Sequence, residues 1–169
     1  MGKNKNDLTL AELEKKKLSI KVMYFNRFLM IRYLTATFFF ININWLALML
    51  YHKSSYFFVP LSLILLIAFP IFEQIKLYRT HKSEAILTKR YYQIQLIINL
   101  MLIVSTVTPI YEKIFFFMNQ DVTGRLFVTS MLIVGIALCL TVIKRINKIE
   151  KHQDKQYSRV KDYEKIVGI

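Results

Sequence analysis

Apolar and polar residues come in blocks along this chain and do not alternate. Residues 33–51, 56–75, 94–111 and 126–143 are dominated by Ile, Leu, Phe, Val and Tyr and hold no charge near their centres. A helix of that length rises about 30 Å, the thickness of a bilayer's hydrocarbon core. Strands are excluded as spans, because an open strand in lipid leaves backbone N–H and C=O groups unpaired and the blocks lack the two-residue alternation of a barrel. The pattern predicts an all-α fold: a four-transmembrane-helix bundle over residues 33–143, with polar helical extensions at residues 1–32 and 144–169.

Both extensions carry helix signals. Thr9 with Glu12 has the spacing of a capping box, and Leu8 with Leu13 that of the hydrophobic staple around it, so a helix is expected from Leu10 onward. Ile143, Ile146 and Ile149 continue a three-residue spacing past the fourth span, and Tyr157, Val160, Tyr163 and Val167 take it up again. The fourth span is therefore expected to run on as a helix, either solvated or docked on a partner helix.

Charge adds an orientation. Of 169 residues 54% are apolar, yet 24 are Lys or Arg. Twenty-one of these cations lie before residue 33, between spans two and three, or after residue 143; the remaining three are Lys53, Lys113 and Arg125. The positive-inside rule then places the protein in the cell membrane as a multi-pass chain with both termini and the central loop in the cytoplasm. Topology alone accounts for the net charge of +13, so no nucleic-acid partner is implied, whereas anionic lipid headgroups should gather at the basic face. The 32 residues ahead of span one are too long and polar for a signal-peptide n-region, so span one is read as retained. With short external links, a soluble partner is expected on the cytoplasmic side.

Candidate chemistry is sparse. Asn42 and Asn44 in span one, and Asn99 and Thr106 in span three, are candidate intramembrane polar contacts, either gluing helices together or lining a path. Gly135 and Cys139, four residues apart in span four, offer a small face for close helix packing. Pro70-Ile71-Phe72-Glu73 closes span two and Pro109-Ile110-Tyr111-Glu112 closes span three. The echo resembles the inverted repeats of some transporters and also matches what apolar sequences share by coincidence; in either case Pro70 and Pro109 should bend or end their helices, with Glu73 and Glu112 as helix-turn or gating positions.

Catalytic motifs are missing: there is no HExxH, GxSxG, cysteine pair or phosphate-cradling glycine loop, and His52, His81 and His152 are too dispersed to share a metal. The chain is read as non-enzymatic, with no cofactor and no metal. It resembles small four-helix multidrug exporters in size, but that family places a glutamate in the middle of the first span, where this chain has Phe38-Phe39-Phe40-Ile41-Asn42. The bias toward Lys, Ile, Asn, Phe and Tyr resembles that of low-GC Gram-positive bacteria. Two classes of function remain: an accessory or protective component of a larger membrane system, such as peptide or bacteriocin export, biogenesis or immunity, or a homo-oligomeric channel, holin-like pore or small transporter.

Overall fold

The computed structural model describes residues 5–80 and 84–167. His81, one of the three histidines, lies outside them. Within the described residues seven helices follow one another: α1 (Lys5–Arg27), α2 (Leu29–Tyr51), α3 (Phe58–Thr80), α4 (Ile86–Val107), α5 (Ile110–Ile114), α6 (Val122–Glu150) and α7 (Lys155–Val167). Among the described residues there is no strand. Three of the helices, α2, α3 and α6, are long and apolar enough to cross a membrane.

The long helices pack in chain order: α2 on α3, α3 on α4, and α4 along α6 in the most extensive contact of the molecule. α2 and α6 meet only lightly, so the fourth side of the bundle is an open seam. Large apolar side chains such as Phe40, Leu65, Phe72 and Val104 cover the outside, as a surface solvated by lipid requires. Inside are two cores. Phe28, Ile31, Ile67, Tyr92, Cys139, Ile146 and Ile149 fill the end where α1 and α7 sit, here the terminal end. Met49, Tyr111, Ile114, Phe115 and Val128 fill the opposite, loop end.

Several boundaries depart from the sequence reading. The first helix is already formed at Lys5, so Thr9 lies inside it and is not its N-cap. Helix α4, over the third apolar window, begins at Ile86 and stops at Val107, and Pro109 opens the separate short α5. Helix α3, in contrast, runs through Pro70 without a break.

The C-terminal extension is not one continuation of span four. Helix α6 passes Ile143 and ends at Glu150, where the chain reverses. His152 takes a left-handed φ of 54°, the Gln153 N–H bonds back to the Lys148 carbonyl and the His152 N–H to that of Ile149. This is a Schellman motif. Lys53 (φ 51°) ends α2 in the same way, with Ser54 bonded to Met49 and Lys53 to Leu50. Neither position is a glycine, so neither stop could be read from composition.

Candidate functional site: the polar contacts between helices

A buried ion pair joins the first helix to the segment that leads into the last. Arg27, the last residue of α1, is fully buried. Its Nε donates to Asp154 Oδ2 at 3.0 Å and its Nη2 to Oδ1 at 2.7 Å, a bidentate fork, while Nη2 also donates to the Ile149 carbonyl at 3.3 Å. The guanidinium lies 4.9 Å from the Tyr157 ring centroid. Asp154 in turn accepts the Tyr157 N–H at 3.1 Å, which makes it the N-cap of α7. Both charges are shielded from water, so removing one partner would strand the other at a cost of about 3–5 kcal/mol. With Val160 buried in the same joint, α7 is docked on α1 and not solvated.

A second contact sets the start of α4. The residue ahead of this helix is Ala85, which has no side-chain oxygen to offer the first free N–H groups. Glu73 of α3 supplies one from across the bundle. Its Oε1 accepts from Leu87 N at 2.9 Å, and its Oε2 from Thr88 N and Thr88 Oγ1, both at 2.7 Å. Lys89 Nζ then donates to Glu150 Oε2 at 2.9 Å, tying the start of α4 to the end of α6.

Below these charges lies a layer of neutral groups. Thr35 Oγ1 bonds to the Ile31 carbonyl at 2.8 Å, accepts Gln74 Nε2 at 3.0 Å and meets the Tyr92 hydroxyl at 3.1 Å, joining α2, α3 and α4. Along one face of α4, the Tyr91 hydroxyl donates to Gln95 Oε1 at 3.2 Å and Gln95 Nε2 donates to Asn99 Oδ1 at 3.1 Å. Thus Tyr91, Gln95 and Asn99 of α4 are turned inward, where they satisfy one another.

The sequence candidates fall out unevenly across this framework. Asn42 is buried, but its Nδ2 donates to Phe38 O of its own helix; Asn44 is exposed, lines the cavity at the α2/α6 seam together with Asn42, and donates to Phe40 O. Each amide bonds within its own helix, so the expected glue between helices is carried by other side chains. Asn99 joins the Gln95 ladder, and a side chain added at Gly135 would place a Cβ 2.9 Å from its amide nitrogen. Gly135 therefore makes room for Asn99 at the α4–α6 contact, and Cys139 is fully buried one turn on. Thr106 Oγ1 lies 3.2 Å from Thr129 Oγ1, and its carbonyl accepts Arg125 Nη1 at 2.8 Å.

Pro70 and Glu73 sit in the middle and second half of a continuous helix, whereas Pro109 is the N-cap of a five-residue helix that holds Glu112. Glu112 is 61% exposed and 3.7 Å from Arg125. Arg27, Asp154, Thr35, Gln74 and Gln95 were not among the sequence candidates. Only Asp154 carried a local signal, as an N-capping residue ahead of a helical run.

Two cavities complete the geometry. One of about 580 Å³ lies between α1, α2 and α3 at the terminal end, lined by Lys21, Phe25, Arg32, Phe39, Ile71 and Gln74 among others. Another, of about 340 Å³, opens at the α2/α6 seam, where Asn42, Trp45, Gln95 and Asn99 face Phe115 and Met131. Comparison with protein-family models, curated proteins and solved structures found no match to the chain.

Proposed function

We propose that the chain is a non-enzymatic accessory or protective component of a larger membrane system, spanning the cell membrane four times with both termini in the cytoplasm. Packing supports a fourth span. Helix α4 has 22 residues, which rise about 33 Å, and it is held between α3 and α6 along its length. If those two cross the bilayer, α4 crosses with them, its Gln95, Asn99, Ser105 and Thr106 hidden in the bundle. Basic residues at both termini and in the central link supply the orientation.

The observation that carries the accessory reading is the buried Arg27–Asp154 pair. It locks the two terminal helices into one preorganised element, whose outer surface presents Lys15, Lys155, Arg159, Lys161 and Lys165. A rigid basic surface on the cytoplasmic side suits docking to an acidic face of a membrane-complex partner, and preorganisation lowers the entropic cost of binding. Peptide or bacteriocin export, biogenesis or immunity is the setting we favour for such a partner.

Purification from native membranes in mild detergent tests this. A stoichiometric partner that is retained by the whole chain and lost after truncation at Lys148 supports the reading; a homo-oligomer without a partner refutes it. The α2/α6 seam with its amide-lined cavity favours one second reading, a homo-oligomeric channel, holin-like pore or small transporter, in which neighbouring copies close the seam. Ion or solute flux through reconstituted vesicles, abolished by Asn99→Leu, would establish that reading instead.

A further inference from the structure

The cavity at the α2/α6 seam is walled mainly by hydrocarbon but holds two amides with bonding capacity left over. Trp45, Leu48, Phe115, Phe117, Met131 and Leu132 are among its walls, and none of the described residues that line it is charged. Among the described residues, Asn42 donates through Nδ2 to the Phe38 carbonyl and its oxygen makes no bond; Asn99 accepts through Oδ1 from Gln95 and its nitrogen makes none. Both residues line the cavity, and both are more than nine-tenths buried, at 3% and 4% exposure. Gly135 of α6 leaves the Asn99 nitrogen uncovered from its side, since a Cβ there would stand 2.9 Å away. Asn42, Asn99 and Gly135 all lie near the midpoints of their helices. In a bilayer this acceptor and this donor therefore sit where water is scarcest and an unmatched polar atom costs most.

We infer that the cavity binds one uncharged, medium-chain amphiphile headed by a hydroxyl, an alkanol in its simplest form. The hydroxyl donates to Asn42 Oδ1 and accepts from Asn99 Nδ2, and the chain lies along Phe115 and Met131. A hydroxyl is the smallest group that both donates and accepts. Other ligand classes each leave something unmatched. A bare hydrocarbon chain leaves both amides unpaired, and a carboxylate or phosphate buries a charge with no cation to meet it. A ligand polar all round sets its hydroxyls against rings and methionine. The volume of about 340 Å³ lies near the lower end for ligand pockets, which suits a single chain of modest length. Because α2 and α6 meet only lightly, the ligand enters sideways, from the lipid. The inference needs α2 and α6 to lie in a membrane, and neither the accessory reading nor the number of spans bears on it.

The experiment is photolabelling of the full chain in mild detergent with an octanol that carries a diazirine on its chain, the adducts being located by peptide mass spectrometry. One label per chain is expected, on Met118, Met131 or Leu132. Decanol should displace it at a concentration at least about tenfold below that of decane, the effect of two ordinary hydrogen bonds. Asn42→Leu gives up only a bond within its own helix, and should keep the label while losing the preference for decanol over decane. Met131→Trp, at a 54% exposed position on the cavity wall, should fill the space and abolish labelling at Met118. Equal competition by decane, or by decanoate at a pH where it is ionised, would overturn the inference, as would adducts spread over outward-facing side chains such as Phe40 and Leu65. A dimer whose seam takes no label would overturn it too, assigning the seam to a second copy.

Discussion

At the terminal end, Arg27, Asp154, Glu73, Lys89 and Glu150 join helices through charged bonds of 2.7 to 3.0 Å. The loop end is joined mainly by rings. Trp45 stacks on Phe115 with centroids 5.7 Å apart, Tyr111 and Phe117 pack on the same Phe115, and His52 lies 4.6 Å from Phe116. The Arg125–Glu112 pair at this end is longer, at 3.7 Å, and wet. The Pro-Ile-aromatic-Glu sequence occurs once at each end, yet only Glu73 has helix N–H groups brought opposite to it. What a carboxylate contributes is set by what the chain places in front of it, and the same four-residue pattern therefore serves as a cap in one case and as a solvated surface group in the other.

That contrast can be broken at either end, with effects of decreasing size. Asp154→Ala should release α7 at a local cost of about 3–5 kcal/mol, because the buried Arg27 would lose its bidentate carboxylate; hydrogen exchange at Val160 should rise to that of free helix, with α2 to α6 unaffected. At the loop end, Gly124 has no room for a side chain, since a Cβ would collide with the Asn119 carbonyl. Gly124→Ala should destabilise the bundle by about 1–3 kcal/mol in denaturant titrations followed in detergent, by forcing the 115–121 loop off α6. Glu73→Gln keeps an acceptor but loses the charge, and should cost about 1–2 kcal/mol with fraying confined to Ile86–Lys89, read by exchange at Leu87 and Thr88. Glu112→Gln, changing an exposed pair, should shift stability by less than about 1 kcal/mol in the same titration. Equal effects from the two glutamate substitutions would remove the distinction drawn between the ends.

Where the chain is longest in apolar residues, its helices are readable from the sequence. The windows at 33–51, 56–75 and 126–143 fall within a few residues of α2, α3 and α6, because a long apolar run has few other ways to satisfy its backbone. The third window started eight residues late. Lys89, Arg90 and Gln93 look like loop residues in a hydropathy reading, but they alternate around a helix with Tyr92 and Gln95, which are buried. The joints between helices were the least legible. Arg27 and Asp154 are 127 residues apart and Thr35 and Tyr92 57, and nothing near either partner announces the other. Asn42 and Asn44 stood out because amides are rare in such blocks, yet each turns back onto its own helix.

Trp45 is the chain's single tryptophan, and it lies in the loop-end core, nearly parallel to Phe115 with an interplanar angle of 4° and its indole N–H without a hydrogen-bond partner. The protein thus carries a built-in optical probe whose emission reports on one end of the bundle alone. Occupancy of the distant cavity between α1, α2 and α3 should leave its spectrum still, while any molecule entering the seam between α2 and α6 should shift or quench it. Events at the two ends can be told apart in a single cuvette, without a dye.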